Sequence, residues 1–289
     1  MNKRTAGDRV FGVIVTLILI LCAVIALVPL ISVLALSFSS KVAVNTNAVT
    51  LWPVGFTFDS WAAITGRPDM WRATLVTVIT TLVGTTLALA ITSLLAYPLS
   101  KKEFGLQKMI MVMVVITMIF KAPTVPYFLT LRSIGLYNSV WAMVLPHILT
   151  AYNMIVMRTF FLSFPREVEE SATIDGCGPF RTLLQIVLPS SKAVIAVIGL
   201  FYAVTIWNQY QHPLYFIQDT SLYPLQMKVR QFVNESSELQ TIAAKKAVNY
   251  TERSLKAVVV VFAILPIMMV YPKLQKYFEK GAMLGSVKG

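Results

Sequence analysis

The sequence predicts an all-α integral membrane protein with six transmembrane helices, and three observations carry that expectation. The chain is 56% hydrophobic and only 13% charged over its 289 residues, whereas soluble domains carry about 25% charge; its mean hydropathy is +0.70. The apolar residues gather in six runs, each near the roughly 20 residues that a spanning helix needs. The Lys and Arg behind the formal net charge of +12 flank these runs instead of forming a soluble basic face. That is the pattern of side chains that meet lipid headgroups and hold loops in the cytoplasm. It argues against nucleic acid as a partner and for membrane lipid.

The first run, Val10 to Phe38, follows Lys3, Arg4 and Arg9. It begins like a signal peptide, but it is too long for one and no small-residue cleavage site interrupts it, so it reads as a retained helix with its N-terminus inside. Residues 39–70 form an outer loop whose Trp52, Pro53 and Trp61 suit the membrane interface. The second span, Trp71 to Leu99, is rich in Thr, Gly and Ala, and its Gly84 offers a point of close helix approach. It ends at an inner loop, Lys101-Lys102-Glu103. The third, Gln107 to Leu131, is interrupted by Lys121, Pro123 and Pro126. The fourth runs from Ser139 to Leu162, the fifth from Ala193 to Ile217 and the sixth from Leu255 to Tyr271.

This order divides the chain into residues 1–70, an N-terminal helix with its outer loop, and residues 71–289, a five-helix core that contains a cytoplasmic loop at 163–190. Both termini fall in the cytoplasm, though the inside-outside contrast in basic residues is weak. Cys22 and Cys177 show neither a disulfide framework nor metal-ligand spacing.

The loop is the most informative stretch. Ser163 can cap, Pro165 suits a first turn, and Glu167, Glu169 and Glu170 sit where a helix N-terminus favours negative charge. Asp175-Gly176 breaks that helix. Pro179 opens a second short helix whose Leu183, Leu184, Val187 and Leu188 recur at helical spacing until Pro189 ends it. Spacing alone leaves two readings open: an amphipathic connector on the membrane surface, and a helix whose small residues lie in a partner's groove.

Glu170-Ser171-Ala172-Thr173-Ile174-Asp175-Gly176, continuing to Leu188-Pro189, resembles the EAA loop of binding-protein-dependent ABC importer permeases. Ser171 and Cys177 depart from that pattern, each standing where a small Ala is usual. "LWPVGFTFDSW", "WNQYQHPLYF" and "QKYFEKGAMLGSVKG" are similar to the carbohydrate branch and its maltose-type second permease. The resemblance implies a type I ABC importer permease (MetI-like) fold in a bacterial cytoplasmic membrane. It implies that the loop docks on an ATPase, with Glu169, Glu170, Ser171, Ala172, Asp175, Gly176 and Phe180 as interface residues. The implied partners are a second permease subunit, two ATPase subunits, an extracytoplasmic solute-binding protein and an oligosaccharide. ATP and Mg would be used by the ATPase partner, and no cofactor by this chain. The absence of a Gly-rich phosphate loop followed by Lys-Ser or Lys-Thr agrees.

Polar groups inside the spans mark the expected path. Lys121 is costly in hydrocarbon: it either snorkels to the outer interface or lines the path and attracts an anionic sugar. Asn208 and Tyr210, in the run Trp207 to Pro213, mix amide and aromatic groups as sugar sites do, and an interfacial aromatic belt is the other reading. Tyr127 near the proline pair is a further candidate. His147 and His212 stand alone in the sequence and read as packing or interface histidines. A stand-alone secondary carrier for a small polar solute would call for acidic residues inside the spans, and these are essentially missing. A membrane enzyme would need a nucleophile-base or metal constellation, which the sequence does not offer.

Overall fold

The computed structural model describes residues 6–120, 122–234 and 249–286, and the regular structure among them is entirely helical. Helix α1 (Ala6–Ser37) is apolar on all sides. Its Val10–Ser37 stretch has a mean hydropathy of 3.2 and an unburied apolar window, as befits a helix surrounded by lipid. Two short helices follow, α2 (Lys41–Asn45) and α3 (Asp59–Thr65). The loop between them folds back on α1. The Ser39 hydroxyl accepts the Val54 N–H at 3.1 Å, and the rings of Phe38 and Trp61 stack with centroids 5.4 Å apart.

Helix α4 (Pro68–Leu99) opens on proline, whose missing N–H costs nothing in a first turn. At its other end the Leu99 carbonyl accepts the Arg158 Nε–H at 2.7 Å and the Gln107 Nε2–H at 2.8 Å. Two donors, one of them cationic, thus satisfy an orphan carbonyl at the negative end of the helix dipole.

Three of the six expected spans are broken pairs, the third span at the proline interruption that its sequence shows. The third splits into α5 (Gln107–Ile119) and α6 (Thr124–Ser133), with extended backbone at Phe120 and Pro123. The fourth holds α7 (Trp141–Val144), one 3-10 turn at Leu145–His147 and an extended Thr150, before α8 (Ala151–Leu162). The fifth comes after α9 (Arg166–Ile174), α10 (Pro179–Thr182), a π-turn at Leu183–Val187 and α11 (Leu188–Ser190). It comprises α12 (Lys192–Trp207) and α13 (Gln211–Phe216). Pro123 and Pro213 each lack a donor and crowd the carbonyl four residues back, where the third and fifth runs break, while Pro146 sits in the 3-10 turn of the fourth.

Helices α14 (Leu225–Asn234) and α15 (Glu252–Ser286) complete the order. Among the described residues, two helices are long and apolar enough to cross a membrane, Val10–Ser37 and α4. The bent pair Pro179–Ser190 and Lys192–Trp207 makes up to three.

The chain forms two compact units, residues 1–70 with 229–266 and residues 71–228 with 267–289. In the first, the Ser60 and Ser254 hydroxyls bond at 3.0 Å, and Arg253 Nη1 donates to Asn47 Oδ1 at 2.6 Å. The core of the second joins α4, α8, the π-turn and α12 through buried Ala88, Phe161, Leu183, Val187, Ile198 and Tyr202. Gly84 is the close-approach point that its sequence setting suggested. A Cβ there would lie 2.7 Å from Ile206 Cδ1.

Candidate functional site

The loop at 163–190 is a helix-turn-helix. Glu167 and Glu169 occupy the first turn of α9, where the free N–H groups and the dipole favour carboxylates. Gly176 takes a φ of +79°, a left-handed conformation that a side chain would disfavour. It lets Cys177 N–H reach the Ala172 carbonyl at 2.9 Å and Gly176 N–H reach Thr173 at 3.0 Å, the paired bonds of a Schellman stop. Ser163 does not cap α9. It ends α8, and its hydroxyl donates to the Phe160 carbonyl at 2.7 Å, leaving Pro165 at the N-cap position.

The second half of the loop runs on past Pro189. The π-turn shifts the hydrogen-bond register, which accommodates the missing proline donor, and the helix stops at Ser190. An 87° elbow then turns the chain into α12. Leu183 and Val187 face inward into the core, while Ile174 is 86% and Phe180 63% exposed at the tip. The loop is therefore a lever, anchored at its base and apolar at its free end.

Glu170, Ser171, Asp175, Gly176 and Phe180 are exposed along this tip. Ala172 and Glu169, which the resemblance also implied as interface residues, are placed differently from the exposed five. Ala172 is 4% exposed, so it seats α9 against its own chain. Glu169 is turned aside by an ion pair with Lys101, whose ammonium also lies 4.6 Å from the centre of the Tyr97 ring. A cleft of about 210 Å³ opens there, lined by Lys101, Lys102, Arg166, Glu169, Glu170 and Thr173.

The helix breaks assemble a second polar region. Tyr127 Oη and His212 Nε2 share a hydrogen bond of 3.0 Å, and the rings of His147 and His212 meet edge to face with centroids 4.6 Å apart. The two histidines are therefore not isolated. Each of the three residues lies within four positions of a proline, Tyr127 in α6, His147 in the 3-10 turn and His212 in α13, and His212 contacts both of the others. Asn208 caps α12: its Nδ2 donates to Val204 at 2.9 Å, and its Oδ1 accepts Gln226 Nε2 at 3.3 Å. Tyr210 is exposed beside it. Lys121 lies outside the described residues.

Over residues 93–283 the chain matches the family described as "Binding-protein-dependent transport system inner membrane component". It is 38% identical to the "Polygalacturonan/rhamnogalacturonan transport system permease protein YtcP" of Bacillus subtilis (strain 168), an alignment covering 98% of this chain and 99% of that one. It is equally 38% identical to "Protein LplC" of the same organism, over 100% of this chain and 98% of the relative. A solved chain from a bacterial ABC transporter involved in the import of the acidic polysaccharide alginate superposes with a TM-score of 0.87. The two are 27% identical, and the match covers 96% of this chain and 100% of that one. With an EAA-type loop built as an anchored lever and a fold shared end to end with an importer chain, this protein belongs to the family of binding-protein-dependent transport system inner membrane components.

Proposed function

We propose that this chain is the membrane permease subunit of an ATP-driven importer for oligosaccharides, with uronic-acid-rich chains as the preferred cargo. The observation that carries the mechanism is the lever at 163–190. Its apolar tip, Ile174 and Phe180, projects outward, while Leu183 and Val187 at its base share a core with α4, α8 and α12. An ATPase that grips the tip and closes on ATP and Mg would drag that core as a block. Coupled to a second permease subunit, the motion would switch the path between inward and outward access. A loaded solute-binding protein outside would favour one of those states through its differential affinity.

In this reading the broken pairs α5–α6, α7–α8 and α12–α13 are three of six crossings, and both termini and the lever lie in the cytoplasm. Broken helices are tolerated in hydrocarbon where they line a cavity or pack on protein, which supports a path beside Tyr127, Asn208 and Tyr210; Lys121 joins this proposal from its sequence position alone. The acidic preference is supported by the relatives named for polygalacturonan and alginate.

The assembled complex tests this directly. Its ATP hydrolysis is expected to rise with a binding protein loaded with trigalacturonate. Deleting 170–176 should abolish the rise while the chain still inserts. Full stimulation of the deletion variant would refute the lever.

A further inference from the structure

Two cavities of opposite character open along α8. The cleft at the root of the lever is charged. Lys102 and Glu103 enter it from the loop beyond α4, and Arg166 and Glu170 from α9, where they are one turn apart on the same face. Among the described residues, none of these four side chains makes an ion pair or a hydrogen bond, whereas Lys101 and Glu169 beside them satisfy each other. The second cavity, of about 270 Å³, is an apolar groove between α5 and α8, lined by Ile110, Met113, Thr117, Leu149 and Met154. No residue of α5 is buried, so the groove opens sideways from the chain.

The two cavities are aligned. Met154 lines the groove and Phe161 the cleft. Seven residues apart in α8, they share one helix face, and the rise between them is about 10 Å. In a bilayer the polar layers add only about 5–8 Å on each side of the hydrocarbon core. A molecule with its head in the cleft therefore reaches the groove with its hydrocarbon.

Charge selects the head. A simple anion would leave Glu103 and Glu170 unanswered, and a simple cation would leave Lys102 and Arg166 so. A group that joins a phosphate to a primary ammonium answers both pairs with charge-assisted hydrogen bonds.

We propose that this chain binds one phospholipid of the phosphatidylethanolamine class. Its phosphate lies between Lys102 and Arg166, its ammonium faces Glu103 and Glu170, and one acyl chain fills the groove between α5 and α8. The head bridges the loop beyond α4 to α9, the same two elements that Lys101 and Glu169 join, so the bound lipid braces the root of the lever. The site depends on the chain's place in the membrane and not on its cargo.

The purified importer complex tests this after delipidation, with retained lipid counted by native mass spectrometry during titration. The probes are dioleoyl phosphatidylethanolamine, dioleoyl phosphatidylcholine, whose trimethylated ammonium has no N–H, and soluble phosphoethanolamine. The parent is expected to hold the ethanolamine lipid about tenfold more tightly than the choline lipid, the worth of one charge-assisted hydrogen bond. Lys102→Gln with Arg166→Gln should weaken both lipids about tenfold. Glu103→Gln should erase the preference for the primary amine and leave choline-lipid retention unchanged. Thr117→Phe, at an exposed position in the groove, should weaken both lipids about threefold by displacing acyl contact. Equal retention of the two lipids by the parent overturns the site, and so do variants that retain lipid as the parent does. Displacement of the lipid by an equal concentration of phosphoethanolamine would make the cleft a small-solute site and overturn the lipid assignment.

Discussion

Lys101 and Glu169 form an ion pair that ties the start of the lever to the loop just beyond α4. The Lys101 ammonium is shared with the Tyr97 face. The two side chains are 27% and 16% exposed, so water screens the pair only in part. Lys101→Met and Glu169→Gln are each expected to cost about 1 kcal/mol. The larger effect should be on coupling, because α9 would be free to swing without moving α4. The charge swap Lys101→Glu with Glu169→Lys should restore stimulated ATP hydrolysis to more than half. Equal loss in the swap and the single variants would show that the pair is not the link.

The exposed tip should matter for docking and not for folding. Ile174→Ser and Phe180→Ser remove apolar surface that the chain does not bury. Each is expected to weaken association with the ATPase subunit about tenfold, or about 1.4 kcal/mol, with thermal stability of the isolated chain unchanged. Copurification at graded ATPase concentration measures the first quantity and a melting curve in detergent the second.

Gly176 should be the loop's most restrictive backbone position. Its φ of +79° makes Gly176→Ala cost about 1 kcal/mol, and Gly176→Asn less. Since nothing lies within 4 Å of the added Cβ, a larger loss would mean that the glycine serves contact with a partner and not dihedral freedom.

Gly84 tests packing instead. The 2.7 Å approach of Ile206 Cδ1 makes Gly84→Leu an overpacking change worth about 1–3 kcal/mol. Shortening the neighbour by Ile206→Ala in the same chain should recover part of the loss, which thermal unfolding of the double variant would reveal.

Asp219 carries the pH dependence. Its side chain accepts the Ser221 N–H at 2.8 Å, and that backbone bond, with a smaller pull from Arg72, holds its carboxyl below the usual carboxylate range. A depressed folded pKa means the stabilising effect is full above the ordinary carboxylate value and is lost as pH falls through the folded one. The protection of the Ser221 amide, meaning its exchange relative to the intrinsic rate at the same pH, should therefore fall in acid, and in Asp219→Ala it should already be low at neutral pH.

Composition and periodicity were enough to read an all-helical membrane chain and the helix-turn-helix of the loop, because both are local, while the choice between surface connector and docking helix came from the resemblance. An Asp-Gly stop, a proline start and a 3.6-residue apolar period need no distant partner to be recognised. Of the apolar positions read at helical spacing in the second half, Leu183 and Val187 face inward while Leu184 is exposed, because the π-turn shifts the register. Ser163, by contrast, could have capped either of two helices, and only the fold assigned it to α8.

What the amino-acid order determined by itself is the set of apolar runs, their polar joints and the prolines within them, since hydrophobic burial and the missing proline N–H act at the residue that carries them. What only the tertiary structure decided is which joints meet. Tyr127, His147 and His212 are far apart in the chain, and the packing of α6, α7 and α13 brings their side chains together. Likewise Glu169 faces Lys101 and not the open tip because a charge half-removed from water takes the nearest counter-charge that the fold supplies.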